Sequence, residues 1–165
     1  MNPDPLMQAG WVVQAHVLLA LLALALGPVA LWRKRRDMMH KSVGYVWVVA
    51  LAGAALVSFA IPSSFTPFGA GPIHLLSVYA LGSLWVAMRA IWRRDVARHR
   101  AVMESLYVRG VVLAGAFTLL PGRVLQRSLI PDAPELGFAV MAAVLVWVAS
   151  PVLRVAVARV ARLRA

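Results

Sequence analysis

Long apolar runs broken by clusters of arginine constrain this chain more than any other feature of its sequence. Five stretches, about residues 11–32, 42–61, 73–92, 101–120 and 136–153, are each close to the roughly 20 residues that a helix needs to cross a hydrocarbon core of about 30 Å. Backbone amides have no water to bond inside lipid, so a segment of that kind crosses as a helix with its polar groups paired internally. The expected fold is all-α, an integral membrane five-helix transmembrane bundle. It forms a single domain over residues 1–165, with residues 154–165 as a basic C-terminal tail that continues as an amphipathic helix. Composition agrees: 62% hydrophobic residues, 14% charged residues and a mean hydropathy of +0.79 exclude a water-soluble globule around one core.

The net charge of +11 would suggest nucleic acid in a soluble protein. Here the arginines stand beside apolar spans, where they orient helices and meet anionic lipid headgroups, so nucleic acid is discounted. Lys and Arg number five in Arg33–Lys41, five in Arg89–Arg100 and four in Arg154–Arg164, against only Arg123 and Arg127 between the fourth and fifth spans. The positive-inside rule then puts the N-terminus outside and the C-terminus in the cytoplasm of a bacterial inner-membrane, multi-pass protein. MNPDPLMQAG carries no Lys or Arg, so it lacks the n-region of a cleavable signal and the first span is expected to stay attached. The absence of cysteine removes disulfides, thiolate metal sites and cysteine nucleophiles.

Within this frame, Gly27-Pro28 is expected to kink the first span. The outer loop is Pro62–Pro72, and RVLQRSLIPDAPE is expected to lie along the outer interface. Tyr79, Trp85 and Trp147, well inside their spans, read as packing residues.

The four histidines divide between the two faces. His16 lies five residues past Trp11, roughly 7 Å below the outer boundary, and His74 lies just inside the same boundary on the third span. His40 and His99 follow two basic runs, WRKRRDMMHKSVG and RRDVARHRAVMESLYVRG, at the cytoplasmic ends of the second and fourth spans. Ionisable groups in or at the membrane are costly to desolvate and usually face the bundle interior, which makes each one a site candidate. Two imidazoles from different helices at one depth can supply both axial ligands of a b-type haem. The expected ligand pairs are His16 with His74 and His40 with His99, in layers on the order of 20–25 Å apart.

Several neighbours suit that chemistry. Gly44, four residues from His40, leaves room for a flat macrocycle. Met103 and Tyr107 continue the His99 face, and Ser77 lies one turn from His74. Arg36, Lys41 and Arg100 on the inner side, and Arg123 on the outer, can pair with haem propionates. The bland reading stands beside it: interfacial histidines can bond headgroups or carbonyls, and the arginine runs are topology signals. Arg109 is harder to dismiss, since a fourth helix that enters at Ala101 carries it about 12 Å deep. It then needs Glu104 as a partner, at an unfavourable spacing of five, or must snorkel inward; alternatively the helix enters later, near Tyr107, which makes His99 more cytosolic.

HKSVGYVW (His40–Trp47), GPIHLLS (Gly71–Ser77), DVARHRAVMESLYVRG (Asp95–Gly110) and LLPGRVLQ (Leu119–Gln126) resemble an uncharacterised family of predicted bacterial membrane proteins, a domain of unknown function. The resemblance covers most of residues 11–153, implies a membrane location, and carries no activity with it. The two-layer placement of histidines is also similar to that of transmembrane two-haem b cytochromes, by layout alone.

The first functional expectation is therefore a membrane electron carrier. It holds haem b and works with a redox partner or quinone, any activity being of the oxidoreductase type, as a homo-oligomer or within a larger complex. The alternative is a haem-free membrane scaffold, an assembly subunit or a small transporter. Soluble-type catalysis is not expected, because paired carboxylates, a nucleophile elbow and a phosphate-binding glycine loop are all missing.

Overall fold

The computed structural model describes residues 3–33, 35, 37–61 and 71–163, with side-chain surroundings left out at 72–73 and from 151 onward. Among the described residues every regular element is helical. Three helices are long and apolar enough to cross a membrane: α2 (Trp11–Trp32), α3 (Met38–Ser58) and the His74–Trp92 part of α4 (Pro72–Trp92). A shorter apolar segment, Pro134–Ser150, opens the 30-residue α8 (Pro134–Leu163). The remaining elements are α1 (Asp4–Met7), α5 (Val96–Leu106), a π-helical segment (Tyr107–Val112), α6 (Leu113–Phe117) and α7 (Val124–Leu129).

Two aspartates explain why the basic runs turn into helices where they do. Asp37 and Asp95 are N-cap residues whose carboxylates accept from the backbone N–H of His40 and Arg98, at 3.1 and 3.0 Å. A side-chain oxygen there satisfies one of the four amide donors left over at a helix start. The sequence Arg-Arg-Asp occurs at both places, Arg35–Asp37 and Arg93–Asp95, so the two matching stretches share a cap as well as a charge run. Helix α3 consequently starts at Met38, earlier than the expected Ser42, and α5 at Val96 instead of Ala101. The first turn is further held by Arg33, whose guanidinium donates to Asp37 at 2.6 Å. That bond, with the amide of His40, holds the Asp37 carboxyl well below its usual value, at about 2. The α4–α5 turn places Arg94 in the left-handed region, φ +62°.

α2 and α3 form the most extensively packed pair, with α4 against α3 and α5 against α4. Their seams are lined by small residues, Ala23, Ala50, Ala54, Ala55, Ala80 and Ala87, all buried, which let backbones approach closely where apolar lipid offers no hydrophobic drive. Polar contacts cross this packing as well; between α3 and α4 the Ser58 and Ser77 hydroxyls lie 2.6 Å apart. Ser58 also donates to the Ala55 carbonyl, at 2.7 Å.

The centre of the core is built around a defect. Pro28 has no N–H to offer the Leu24 carbonyl four residues back. The Tyr107 hydroxyl donates to that carbonyl from the end of α5, at 2.9 Å. Beside it the Trp47 indole N–H donates to the Ala23 carbonyl at 2.8 Å. Gly27 makes this possible, because a Cβ there would run into the Tyr107 ring, with Tyr107 Cζ only 2.9 Å away. Trp32 packs edge-on against the same ring, centroids 5.7 Å apart. Gly27-Pro28 thus receives side chains from two other helices at the site where a kink is expected. Tyr107 and Met103, expected on a cofactor-facing surface, are buried packing residues.

The fourth expected span is not one α-helix. Residues 96–117 run on as helix, but Tyr107–Val112 are wound with π geometry, which admits an extra residue per turn and re-aims the turns beyond it. At the end of α6, Gly137 of α8 abuts the Leu119 carbonyl with no space for a Cβ. On the opposite side of the N-terminal turn, Gln14 donates to the carbonyls of Leu6, Met7 and Ala9, at 3.2, 3.0 and 3.0 Å, which ties α1 to α2.

Candidate functional site

The backbone carbonyls of neighbouring helices decide which nitrogen each imidazole has to offer. His16, on the second turn of α2, has Nδ1 2.9 Å from the Ala54 carbonyl of α3. A carbonyl oxygen can only accept, so Nδ1 carries the proton and the neutral ring keeps its lone pair on Nε2. His99, in the first turn of α5, repeats this arrangement, with Nδ1 2.9 Å from the Ala87 carbonyl of α4. An imidazole held in this way has the tautomer and the orientation that metal-ligating histidines share.

His74 is held the opposite way. Its Nδ1 accepts from the backbone N–H of Gly71 at 3.0 Å, which leaves the neutral ring's proton on Nε2. The ring is buried and lies against Phe59, centroids 5.7 Å apart. His40 is half-buried in the first turn of α3, where its backbone N–H meets the Asp37 cap.

An apolar chamber of about 400 Å3 runs between α2, α3, α4, the π segment, α6, α7 and α8, and His16 is the one titratable side chain in its wall among the described residues. Ser77 and Thr118 also reach it; nearly everything else there is Ala, Gly, Val or Leu. The small residues of the seams, Ala20, Ala114 and Gly115 among them, open the space, and Val140 and Val144 of α8 close one side. His74, His40 and His99 do not line this chamber, so the structure does not bring the expected outer pair together around it. No cluster of three or more His, Cys, Asp or Glu side chains suited to a metal ion occurs among the described residues.

The other expected contributors are dispersed. Gly44 faces open space, with nothing within 4 Å of where a Cβ would stand. Arg100 pairs with Glu104 at 2.7 Å, one helical turn on. Glu104 is therefore engaged with Arg100, and no ion pair reaches the exposed Arg109 among the described residues. Arg123 stands at the N-cap position of α7, its guanidinium carbon 4.5 Å from the Phe117 ring centroid. Lys41 is exposed, and Arg36 and most of the Pro62–Pro72 loop lie outside the described residues. Trp85 and Trp147, expected as packing residues, are 60% and 50% exposed on the outside of the helices.

Three long apolar helices, a shorter fourth apolar segment and seams of alanine define the class: a multi-pass helical membrane protein. The chain belongs to the family described as predicted membrane protein (DUF2306), whose model matches residues 13–160. No curated protein and no solved structure matches it.

Proposed function

We propose that this is a five-span inner-membrane protein of electron transport that holds a lipid-soluble redox group in the apolar chamber, anchored at Nε2 of His16. The five crossings are α2, α3, α4, the continuous helix from α5 through α6, and the apolar part of α8. The arginine distribution favours an external N-terminus and a cytoplasmic C-terminus, which puts the chamber in the outer half of the bilayer.

The observation that carries the reading is the bond from His16 Nδ1–H to the Ala54 carbonyl, at the wall of a chamber otherwise almost wholly apolar. A pocket of this volume with one fixed polar group is typical of sites that bury most of a small molecule and orient it through that group. Two kinds of group have the matching chemistry. A b-type haem would be held by the lone pair of Nε2 and would supply one-electron chemistry at iron. A quinol would be held by donation of its hydroxyl to the same nitrogen. His99, anchored to Ala87 in the same way, presents a second Nε2 at the cytoplasmic end, consistent with a two-layer arrangement. His74 would have to give up the Gly71 amide to hold iron, since an imidazole that accepts at Nδ1 and ligates at Nε2 would lose its last proton. The chain's own part is to fix the tautomer, exclude water and keep the site in a low dielectric.

The occupant identifies itself on extraction. From protein purified in mild detergent, organic extraction with mass analysis should yield haem or an isoprenoid quinone in near-stoichiometric amount. His16→Asn should lose it, because the amide retains a donor for Ala54 but has no ring nitrogen. Phospholipid alone from folded wild-type protein would overturn the reading.

A further inference from the structure

The cytoplasmic end of α4 carries a second pocket, of about 480 Å3, formed by Trp85, Val86, Arg89, Ala90, Arg93, Asp95 and Arg98. Trp85, Arg89 and Arg93 are spaced at intervals of four residues and so form one ridge along the last turns of α4. Arg98 faces them from the first turn of α5. Arg89 is held in place by the indole, its guanidinium carbon 5.3 Å from the Trp85 ring centroid.

The charges in this pocket do not cancel. Three arginines against one aspartate leave a net charge of two positive, and the Asp95 carboxylate is occupied in capping the Arg98 amide at 3.0 Å. Among the described residues the ion pairs are Arg33–Asp37 and Arg100–Glu104, and neither involves the pocket arginines. The turn that joins the two helices is itself locked. The Arg93, Arg94 and Asp95 amides donate to the carbonyls of Arg89, Ile91 and Ala90, at 3.1, 2.9 and 2.9 Å, and Arg94 sits at φ +62°. Topology alone asks for positive charge near this face; it does not ask for three guanidinium groups around one cavity beside an exposed tryptophan.

We propose that this pocket binds the phosphate headgroup of an anionic membrane lipid. Planar guanidinium groups bind phosphate oxygens through paired, charge-assisted hydrogen bonds. The apolar floor of Val86 and Ala90 and the exposed indole suit the glycerol and upper acyl region at the same depth. Basic pockets between helices on the cytoplasmic side are recurrent sites of this kind. This inference is independent of what occupies the chamber.

The test monitors thermal unfolding of the full chain in detergent while phosphatidylglycerol, phosphatidylcholine or inorganic phosphate is added. Phosphatidylglycerol should raise the midpoint saturably and phosphatidylcholine should not. Each Arg→Gln change among Arg89, Arg93 and Arg98 should weaken the apparent lipid affinity roughly fivefold. Arg123→Gln, at the other face, should leave it unchanged. Where the triple glutamine variant fails to insert, the triple lysine variant decides, because it keeps the orienting charge but loses the paired geometry; its affinity should fall by about tenfold. An equal midpoint shift with phosphatidylcholine, with inorganic phosphate alone, or in the triple lysine variant would overturn the assignment.

Discussion

Leu24 lacks its helical partner because Pro28 has no N–H, and Tyr107 supplies one from another helix. Tyr107→Phe leaves that carbonyl unsatisfied, and the expected cost is about 1–3 kcal/mol in reversible unfolding in detergent. In a Pro28→Ala background the restored amide can serve Leu24, so the same Tyr107→Phe change should cost less; equal costs in both backgrounds would contradict the account. Gly27→Ala puts a methyl group into the Tyr107 ring and should cost about 1–3 kcal/mol by overpacking. Asp37 gives a pH test. Its carboxyl is lowered from 3.8 to about 2 by the Arg33 guanidinium and the His40 amide. A lowered folded value means that the contribution is complete above 3.8 and is lost as pH falls towards 2. Stability measured from about pH 5 downward should therefore fall over that window in wild type, and the loss should be absent in Asp37→Asn. At this scale the sequence shows which residues carry polar chemistry inside apolar spans. It does not show which imidazole nitrogen is free, because that depends on carbonyls of other helices, Ala54 for His16 and Ala87 for His99, brought close only by packing. The repeated Arg-Arg-Asp is legible as charge; the signal that reveals the cap is the aspartate that ends each run.

Apolar length locates the elements well, since α2 matches its expected bounds and α4 differs by one residue at its start. The starts of α3 and α5 come earlier than apolar length indicates, because a cap and not hydropathy begins a helix. The π segment has no visible signature: a single extra residue inside a helical run leaves composition and periodicity nearly unchanged. It also answers part of the Arg109 question, for the helix that carries it is longer and differently phased than a plain span from Ala101, and Glu104 pairs with Arg100. The contact between Gly137 and the Leu119 carbonyl fixes α8 against α6. Gly137→Ala must push the two apart, and amide exchange in the Pro134–Ser150 segment should rise markedly while that of α2 and α3 stays the same. The strained turn offers the opposite sign. Arg94→Gly removes the left-handed penalty and should raise the stability measured by reversible unfolding by about 1 kcal/mol.

Alanine-lined seams around an apolar chamber, with His16 as its one titratable wall residue among the described residues, are the setting that the proposed occupant requires. The topology proposed for the chain has a direct consequence: a reporter fused at the N-terminus should be active only outside the cytoplasm and one at the C-terminus only within it. The class of the molecule is legible from hydropathy and arginine placement alone. The chamber is not, because it depends on how Ala and Gly residues from α2, α3, α4, the π segment and α6 align, which no single stretch of sequence reports. The expected pairing of His16 with His74 rests on matched depth, and depth does not specify ring orientation. The central claim is that His16 anchors a redox-active group, and the most direct measurement is a reduced-minus-oxidised absorption spectrum of the purified protein and of His16→Asn. The account predicts a redox-dependent band, visible for haem or ultraviolet for quinone, that is lost or strongly reduced in the variant. A flat difference spectrum from folded wild-type protein, or an identical band in the variant, contradicts it.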